Sequence, residues 1–159
     1  MRLLEILAMA AVTIPCCAQE LKKADIFSDR AVTSQLSALV QAARGSGSSG
    51  ATLGDYTSHS IKLSVRTASG GAEVHAHYDD IFFVTEGKAT LITGGTVIRA
   101  KTDSNGETTG SGLENGKSET IAKGDVVHIP AGVPHQLRIA PGDVYGSIVV
   151  KVRESPERR

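Results

Sequence analysis

The chain has 159 residues and no net charge, because 17 Lys and Arg residues balance 17 Asp and Glu residues. That length suits one domain with a single hydrophobic core. The balanced charge provides no basic surface of the kind that binds nucleic acid. We therefore expect no nucleic-acid partner.

The first 18 residues have the pattern of an export signal. Met1-Arg2 supplies a positive charge, residues 3–15 form a short apolar run, and Cys16-Cys17-Ala18 offers small residues before Gln19. The run is shorter than the roughly 20 apolar residues that span a bilayer. We therefore predict a signal peptide over 1–18, a periplasmic or secreted mature protein, and no stable membrane insertion after cleavage.

Two other interpretations of this segment stay open. Glu5 is unusual inside a signal, which leaves a buried N-terminal helix as an alternative. A lipoprotein anchor is disfavoured, because Pro15 stands where a small residue would precede Cys16. Both cysteines lie in this segment, so cleavage would leave His and carboxylate side chains as the metal ligands available to the mature protein.

Residues 19–50 are predicted to form an N-terminal helix and a connector. Ser28 can cap a helix over residues 30–44. Apolar residues recur there with helical spacing, at Val32, Leu36, Leu39, Val40 and Ala43. Residues 45–50 have the Gly/Ser composition of a flexible connector, and we assign residues 51–159 to the main domain.

From residue 57 the hydrophobic period changes to two, which indicates strands. Short strands are expected at 57–66, 72–77, 80–85, 89–92, 97–98, 118–122, 125–129, 135–139 and 145–152, with a long irregular loop at 101–117. This pattern predicts an all-β sandwich or barrel. The unbroken apolar run over residues 81–84 predicts a strand covered on both faces, which makes a homodimer one expectation.

Three histidines dominate the chemistry of the domain. His75 and His77 are two residues apart in a predicted strand, so both imidazoles would point to one face. His135 follows the turn at Pro130-Ala-Gly132 and would lead a strand back past them. Three neutral imidazoles that converge on one point make a transition-metal site.

These histidines lie in two segments that resemble the two cupin motifs. Residues 70–87 contain a glycine, His-x-His, an acid and a second glycine, and residues 124–135 match Gly-x5-Pro-x-Gly-x2-His. The resemblance covers about residues 55–152 and implies a double-stranded β-helix, the jelly-roll barrel of cupins. It also implies one divalent transition metal (Zn, Cu, Mn, Fe or Ni) held by His75, His77, Asp80 and His135.

The sequence departs from the cupin pattern around the fourth ligand. Asp80 replaces the usual Glu, and only two residues separate it from His77. Asp79 or a water molecule is the alternative to Asp80. Ile139 stands where the second motif usually has Asn, away from the metal.

Three further polar residues lie outside the predicted ligand set, and two of them have alternative interpretations. Glu73 shares the parity of His75 and could act as a general base or support a ligand, or could be solvated at the barrel rim. His59 shares the parity of Ile61 and could face the cavity as a catalytic group, or be a hydrogen-bonded core residue. His128 is out of phase and is predicted not to be a ligand.

Two classes of function are compatible with such a site. A bound metal supports Lewis-acid isomerase or lyase chemistry, or O2-dependent oxidation, on a small polar substrate such as a sugar or a hydroxy or keto acid. The alternative is a non-catalytic protein that binds a small carbohydrate-like ligand, because a fold alone does not imply catalysis.

Overall fold

A computed structural model describes residues 23–154 of the chain. The predicted signal peptide and both cysteines lie outside this range. Within it, no helix is both long and apolar enough to cross a bilayer.

One helix precedes twelve strands in the described range. The helix α1 covers Asp29–Ser46. The strands are β1 Ser48–Asp55, β2 His59–Arg66, β3 Ala72–His75, β4 Tyr78–Thr93, β5 Thr96–Ile98, β6 Lys101–Thr102, β7 Glu107–Gly110, β8 Gly112–Glu114, β9 Lys117–Ala122, β10 Val126–Ile129, β11 His135–Arg138 and β12 Tyr145–Arg153. The all-β prediction is confirmed, with the helix at the N-terminal end.

Ten of the strands form one antiparallel sheet that folds over into two layers. The first layer has the order β1-β2-β12-β4-β10, and the second has the order β9-β4-β11-β3-β7-β6. The long strand β4 belongs to both layers and changes layer near Gly87, where φ is +67°. A Cβ at Gly87 would lie 1.7 Å from the Val144 carbonyl oxygen, so this crossing requires glycine.

The helix and the segment after it differ from the prediction in one respect. The Ser28 hydroxyl accepts a hydrogen bond from the Ala31 amide at 3.3 Å, as expected of an N-cap. The helix ends at Ser46, and Gly47 caps it with φ at +85°. Residues 48–50 then pair with β2, so the predicted flexible connector is a helix cap and the start of β1.

The two faces of β2 are reversed relative to the prediction. Leu63 and Val65 are 1% exposed and lie outside the main core cluster, on the side of the sheet against which α1 packs. Lys62 is paired in register with Val149, whose side chain packs on the main core. The polar face of β2 is therefore the face that lines the interior, because the helix covers the apolar one.

The main core lies between the two layers and reaches into both. Phe82 and Val84 of the first layer pack with Leu91 and Leu137 of the second. On the outer side of residues 81–84, Phe83 is 42% exposed and its cross-strand partner Val126 is 63% exposed, so no other part of residues 23–154 fully covers this face and cover by a second subunit stays a prediction.

The segment predicted as a long loop contains three short strands. β6 and β7 extend the second layer, and β8 pairs with β5 as a separate two-stranded sheet. A small second core lies beside this sheet, formed by Ala72, Ile92 and Leu113. The arrangement brings Glu107 of β7 directly opposite His75 of β3.

Candidate metal centre

Two histidines and a glutamate converge inside the folded sheet. The ligand atoms of Glu73, His75 and His135 all lie within 4.8 Å of one another. Both histidines are buried, with 8% and 4% of their surface exposed. Buried imidazoles at this separation need a common partner or a bound ion.

The strand pairing accounts for this convergence. His135 is the first residue of β11 and lies opposite Glu73 of β3 in antiparallel register. Glu73 and His75 are two residues apart on β3, so their side chains share a face. The turn at Pro130-Ala-Gly132 is attached to the same strand, because the Gly132 amide donates to the His75 carbonyl at 2.8 Å.

Both histidines are oriented through Nδ1. The Nδ1 of His75 is hydrogen bonded to the Glu107 carboxylate. The Nδ1–H of His135 donates to the Val133 carbonyl oxygen at 3.1 Å, and a carbonyl can only accept. Each imidazole therefore presents Nε2 to the interior, as metal-binding histidines commonly do.

Asp80 completes the cluster but is also paired with a lysine. Its Oδ2 lies 3.3 Å from His75 Nε2 and 3.8 Å from His135 Nε2. Its Oδ1 accepts a hydrogen bond from Lys151 Nζ at 2.8 Å. Lys151 lies directly opposite Asp80 in the β4–β12 register, so the pair is built into the sheet.

The surroundings shift the proton affinities of these groups in different directions. Burial lowers the pKa of His135, which favours the neutral, metal-binding imidazole. Burial also acts to lower the pKa of His75, but the Asp80 and Glu107 carboxylates outweigh it and hold that pKa above its ordinary value. Burial acts to raise the pKa of Asp80, yet His75 and Lys151 hold it below its ordinary value.

The structure does not bring His77 into this cluster. β3 ends at His75, and residues 76 and 77 form a bend, so the alternation that would align the two imidazoles stops there. His77 is exposed and lies at a second, more polar cavity. Three of the four residues predicted as ligands, His75, Asp80 and His135, lie together, and the role of His77 stays a prediction.

Asp79, the predicted alternative to Asp80 as a ligand, is hydrogen bonded to the proline-glycine turn. Its Oδ1 accepts the Ala131 amide at 2.8 Å, which ties β4 to the proline-glycine turn. Its Oδ2 lies 3.5 Å from Nε2 of His128, an outer histidine whose side chain is 56% exposed. Ile139 is 6% exposed and belongs to the main core.

The two catalytic candidates lie in different places. Glu73 is part of the cluster, with Oε2 3.8 Å from His75 Nε2 and 4.0 Å from His135 Nε2. His59 stacks on Tyr56 with ring centroids 4.8 Å apart and lines the second cavity. Its Nδ1 is 3.0 Å from the Ser58 hydroxyl.

The donor set fits a divalent transition metal. His75 Nε2 is buried and makes no hydrogen bond within residues 23–154, although it faces Glu73 and Asp80. Two imidazole nitrogens with two carboxylates suit Zn, Cu, Fe, Mn or Ni and leave coordination positions for a substrate. Beside the cluster lies a cavity of about 360 Å³, which is within the usual range for small-molecule sites.

Two residues of the site, Glu107 and Lys151, were not predicted from the sequence. Glu107 lies in the segment predicted to be irregular, so its strand pairing with His75 had no local signal. Lys151 does alternate with the apolar residues Val150 and Val152, which placed it on one face of β12 without showing that this face is internal.

Comparison with solved structures gives the fold of this site. The chain is similar to the cupin domain of Cnp3 from Schizosaccharomyces pombe, with TM-score 0.53, 12% identity, and coverage of 69% of this chain and 67% of that one. It is similar to KdgF from Halomonas sp., with TM-score 0.50, 13% identity, and coverage of 71% and 86%. It is also similar to the DMSP lyase DddQ from Ruegeria pomeroyi, with TM-score 0.49 and 18% identity. That match covers 70% of this chain but only 49% of DddQ, so this chain spans about half of the length of DddQ.

The described domain therefore has the cupin fold, a β-barrel with an internal polar cluster. This confirms the fold implied by the two motifs. Neither a protein-family model nor a curated protein matches the chain.

Proposed function

We propose that this protein is an exported metal-binding cupin and acts as a small metalloenzyme on a small polar substrate. The observation that carries the proposal is the convergence of His75 Nε2, His135 Nε2 and two carboxylates at one interior point. Glu73 and Asp80 would share the metal with the two histidines. The cavity beside them would admit the substrate.

Each residue of the cluster has a defined part in this proposal. A divalent metal, when bound, supplies a Lewis acid for isomerase or lyase chemistry, or a site for O2-dependent oxidation. Glu107 and the Val133 carbonyl hold the imidazoles in the binding tautomer. Glu73 is the most exposed member of the cluster, at 39% of its side chain, so the carboxylate oxygen that it does not give to the metal would be best placed to move a substrate proton.

The proposed export favours copper or zinc as the bound metal. A protein that crosses the membrane unfolded captures its metal outside the cytoplasm, where the intrinsic order of affinity favours copper and zinc. Metal analysis of protein from its native compartment tests this, and a predominance of manganese or iron would overturn it. Mass spectrometry of the same sample tests export, because cleavage should leave Gln19 as the first residue.

One experiment separates enzyme from binding protein. Purified protein is screened for turnover of sugars, hydroxy acids and keto acids before and after chelation, and again after metal is restored. An enzyme loses turnover on chelation and regains it with metal, and His135→Ala stays inactive while folded. The alternative, a non-catalytic binding protein, predicts ligand affinity that chelation leaves unchanged. The Lys151–Asp80 pair supports this alternative, because the lysine already neutralises one carboxylate that would otherwise bind the metal.

A further inference from the structure

The wall of the cavity opposite the histidines is cationic. Lys62 and Arg66 of β2 and Lys151 of β12 line the same cavity as Glu73 and Asp80. Three cations thus face two carboxylates in a partly enclosed space. Because α1 covers the apolar face of β2, the charged face of this central strand faces the interior.

Two of the three cations have partners among the cluster acids. Lys151 Nζ is 2.8 Å from Asp80 Oδ1. Arg66 Nη2 is 3.7 Å from Glu73 Oε1, with 21% of the Arg66 side chain exposed. Within residues 23–154, Lys62 forms no ion pair. A lysine on the inner face of a central strand needs an anion or water to solvate its charge.

Lys62 also has a position that suits a ligand contact. It lines both the cavity at the cluster and the more polar second cavity of about 740 Å³, and Lys151 lines both as well. A molecule that reached the cluster from the second cavity would pass these two ammonium groups. A metal bound by Glu73 and Asp80 would add further positive charge to the same space.

We propose that Lys62 binds an oxyanion of the substrate, so that the ligand of this site is an acid, such as a hydroxy carboxylate, and not a neutral sugar. This inference rests on the proposed function for the position of the metal, and it narrows the substrate class. A carboxylate and a phosphate ester share the required chemistry. A charge-assisted contact of this kind typically changes affinity about tenfold or more.

The test compares acids with neutral counterparts of similar shape. Titration calorimetry on metal-loaded protein measures binding of glycerate, gluconate and glucarate, of the polyols glycerol and glucitol, and of glycerol phosphate and glucitol phosphate. We expect at least one acid to bind about tenfold more tightly than its polyol. Lys62→Gln loses that preference, and Lys62→Arg keeps it because the charge is retained. Lys101→Gln, a control at an exposed lysine that lines neither cavity, behaves as the wild type.

Each outcome bears on one proposal. Tighter binding of the phosphate esters than of the carboxylates identifies phosphate as the oxyanion. Equal binding of acids and polyols, a preference that survives in Lys62→Gln, or no acid binding at all overturns the inference. Metal content is measured on the same samples. If the protein holds metal normally but shows no acid preference, only this inference is contradicted. If the protein shows acid preference but retains no metal after loading, the proposed metalloenzyme is contradicted and an acid-binding protein remains.

Discussion

The Glu107 carboxylate is hydrogen bonded to His75 Nδ1 across the β3–β7 ladder, where the two residues are directly opposite each other. Within residues 23–154, Glu107 forms an ion pair with His75 and with no other member of the cluster, so its effect on the site passes through His75. A carboxylate in this position fixes the imidazole tautomer and raises its basicity toward a metal.

Removal of the Glu107 charge should weaken metal binding without unfolding the protein. Glu107→Gln keeps the shape of the side chain but lowers the basicity of His75. We expect metal affinity to fall about 10- to 100-fold, measured by competition with a chromophoric chelator. Glu119→Gln, at an exposed glutamate in a surface ion pair, is the control and should bind metal normally. Equal affinities for the two variants would show that Glu107 does not support the site.

The histidines should separate into two groups in metal binding. His75→Ala and His135→Ala each remove an inward Nε2 and are expected to abolish stoichiometric binding. His77→Ala should retain it, because His77 lies after the end of β3 at the second cavity. His128→Ala is the exposed control. Elemental analysis after dialysis gives the metal content, and loss of metal from His77→Ala would place His77 in the ligand set.

The sequence predicted the fold well where one face of a strand is buried against the core. The two motifs predicted the approach of His75 and His135, because strand periodicity and a proline-glycine turn are local signals. The faces of β2 were reversed because periodicity shows which residues alternate but not which side is inside. Leu63 and Val65 belong to the layer between sheet and helix, and only the tertiary arrangement shows this.

The rest of the site depends on pairings between distant segments. Lys151 meets Asp80 across a separation of 71 residues, and Glu107 meets His75 across 32. No local pattern encodes such a pairing. His-x-His implied a continuous strand through His77, whereas the chain bends after His75, and the role of His77 as a ligand stays a prediction.

The crossing of β4 between layers should be sensitive to any side chain at Gly87. Gly87→Ala places a methyl group against the Val144 carbonyl in a left-handed conformation. Overpacking and backbone strain together should lower the free energy of unfolding by about 4 kcal/mol. Gly142→Ala is the matched control, with φ at +87° and no atom within 4 Å of the added Cβ. It should cost only about 1 kcal/mol. Urea denaturation measures both, and similar losses would show that Gly87 is not constrained by packing.

Loss of the Lys151 ammonium should destabilise the metal-free protein and strengthen its response to metal. Lys151→Met leaves the buried Asp80 carboxylate, at 4% exposure, without its ammonium partner, which should lower the free energy of unfolding by about 3 kcal/mol at neutral pH. The folded pKa of Asp80 lies below its unfolded value. The stability gained from its pairing is therefore present above the unfolded pKa and disappears as the pH falls through the folded pKa.

The difference between wild type and Lys151→Met should accordingly shrink in acid. Added zinc should raise the melting temperature of the variant more than that of the wild type, because Asp80 no longer has a competing cation. Lys117→Met removes a surface partner of Glu119 whose side chain is 75% exposed, and it should change stability by less than about 1 kcal/mol. If Lys151→Met were as stable as Lys117→Met across this pH range, the Lys151–Asp80 pair would not be the charge balance that holds the metal-free cluster together.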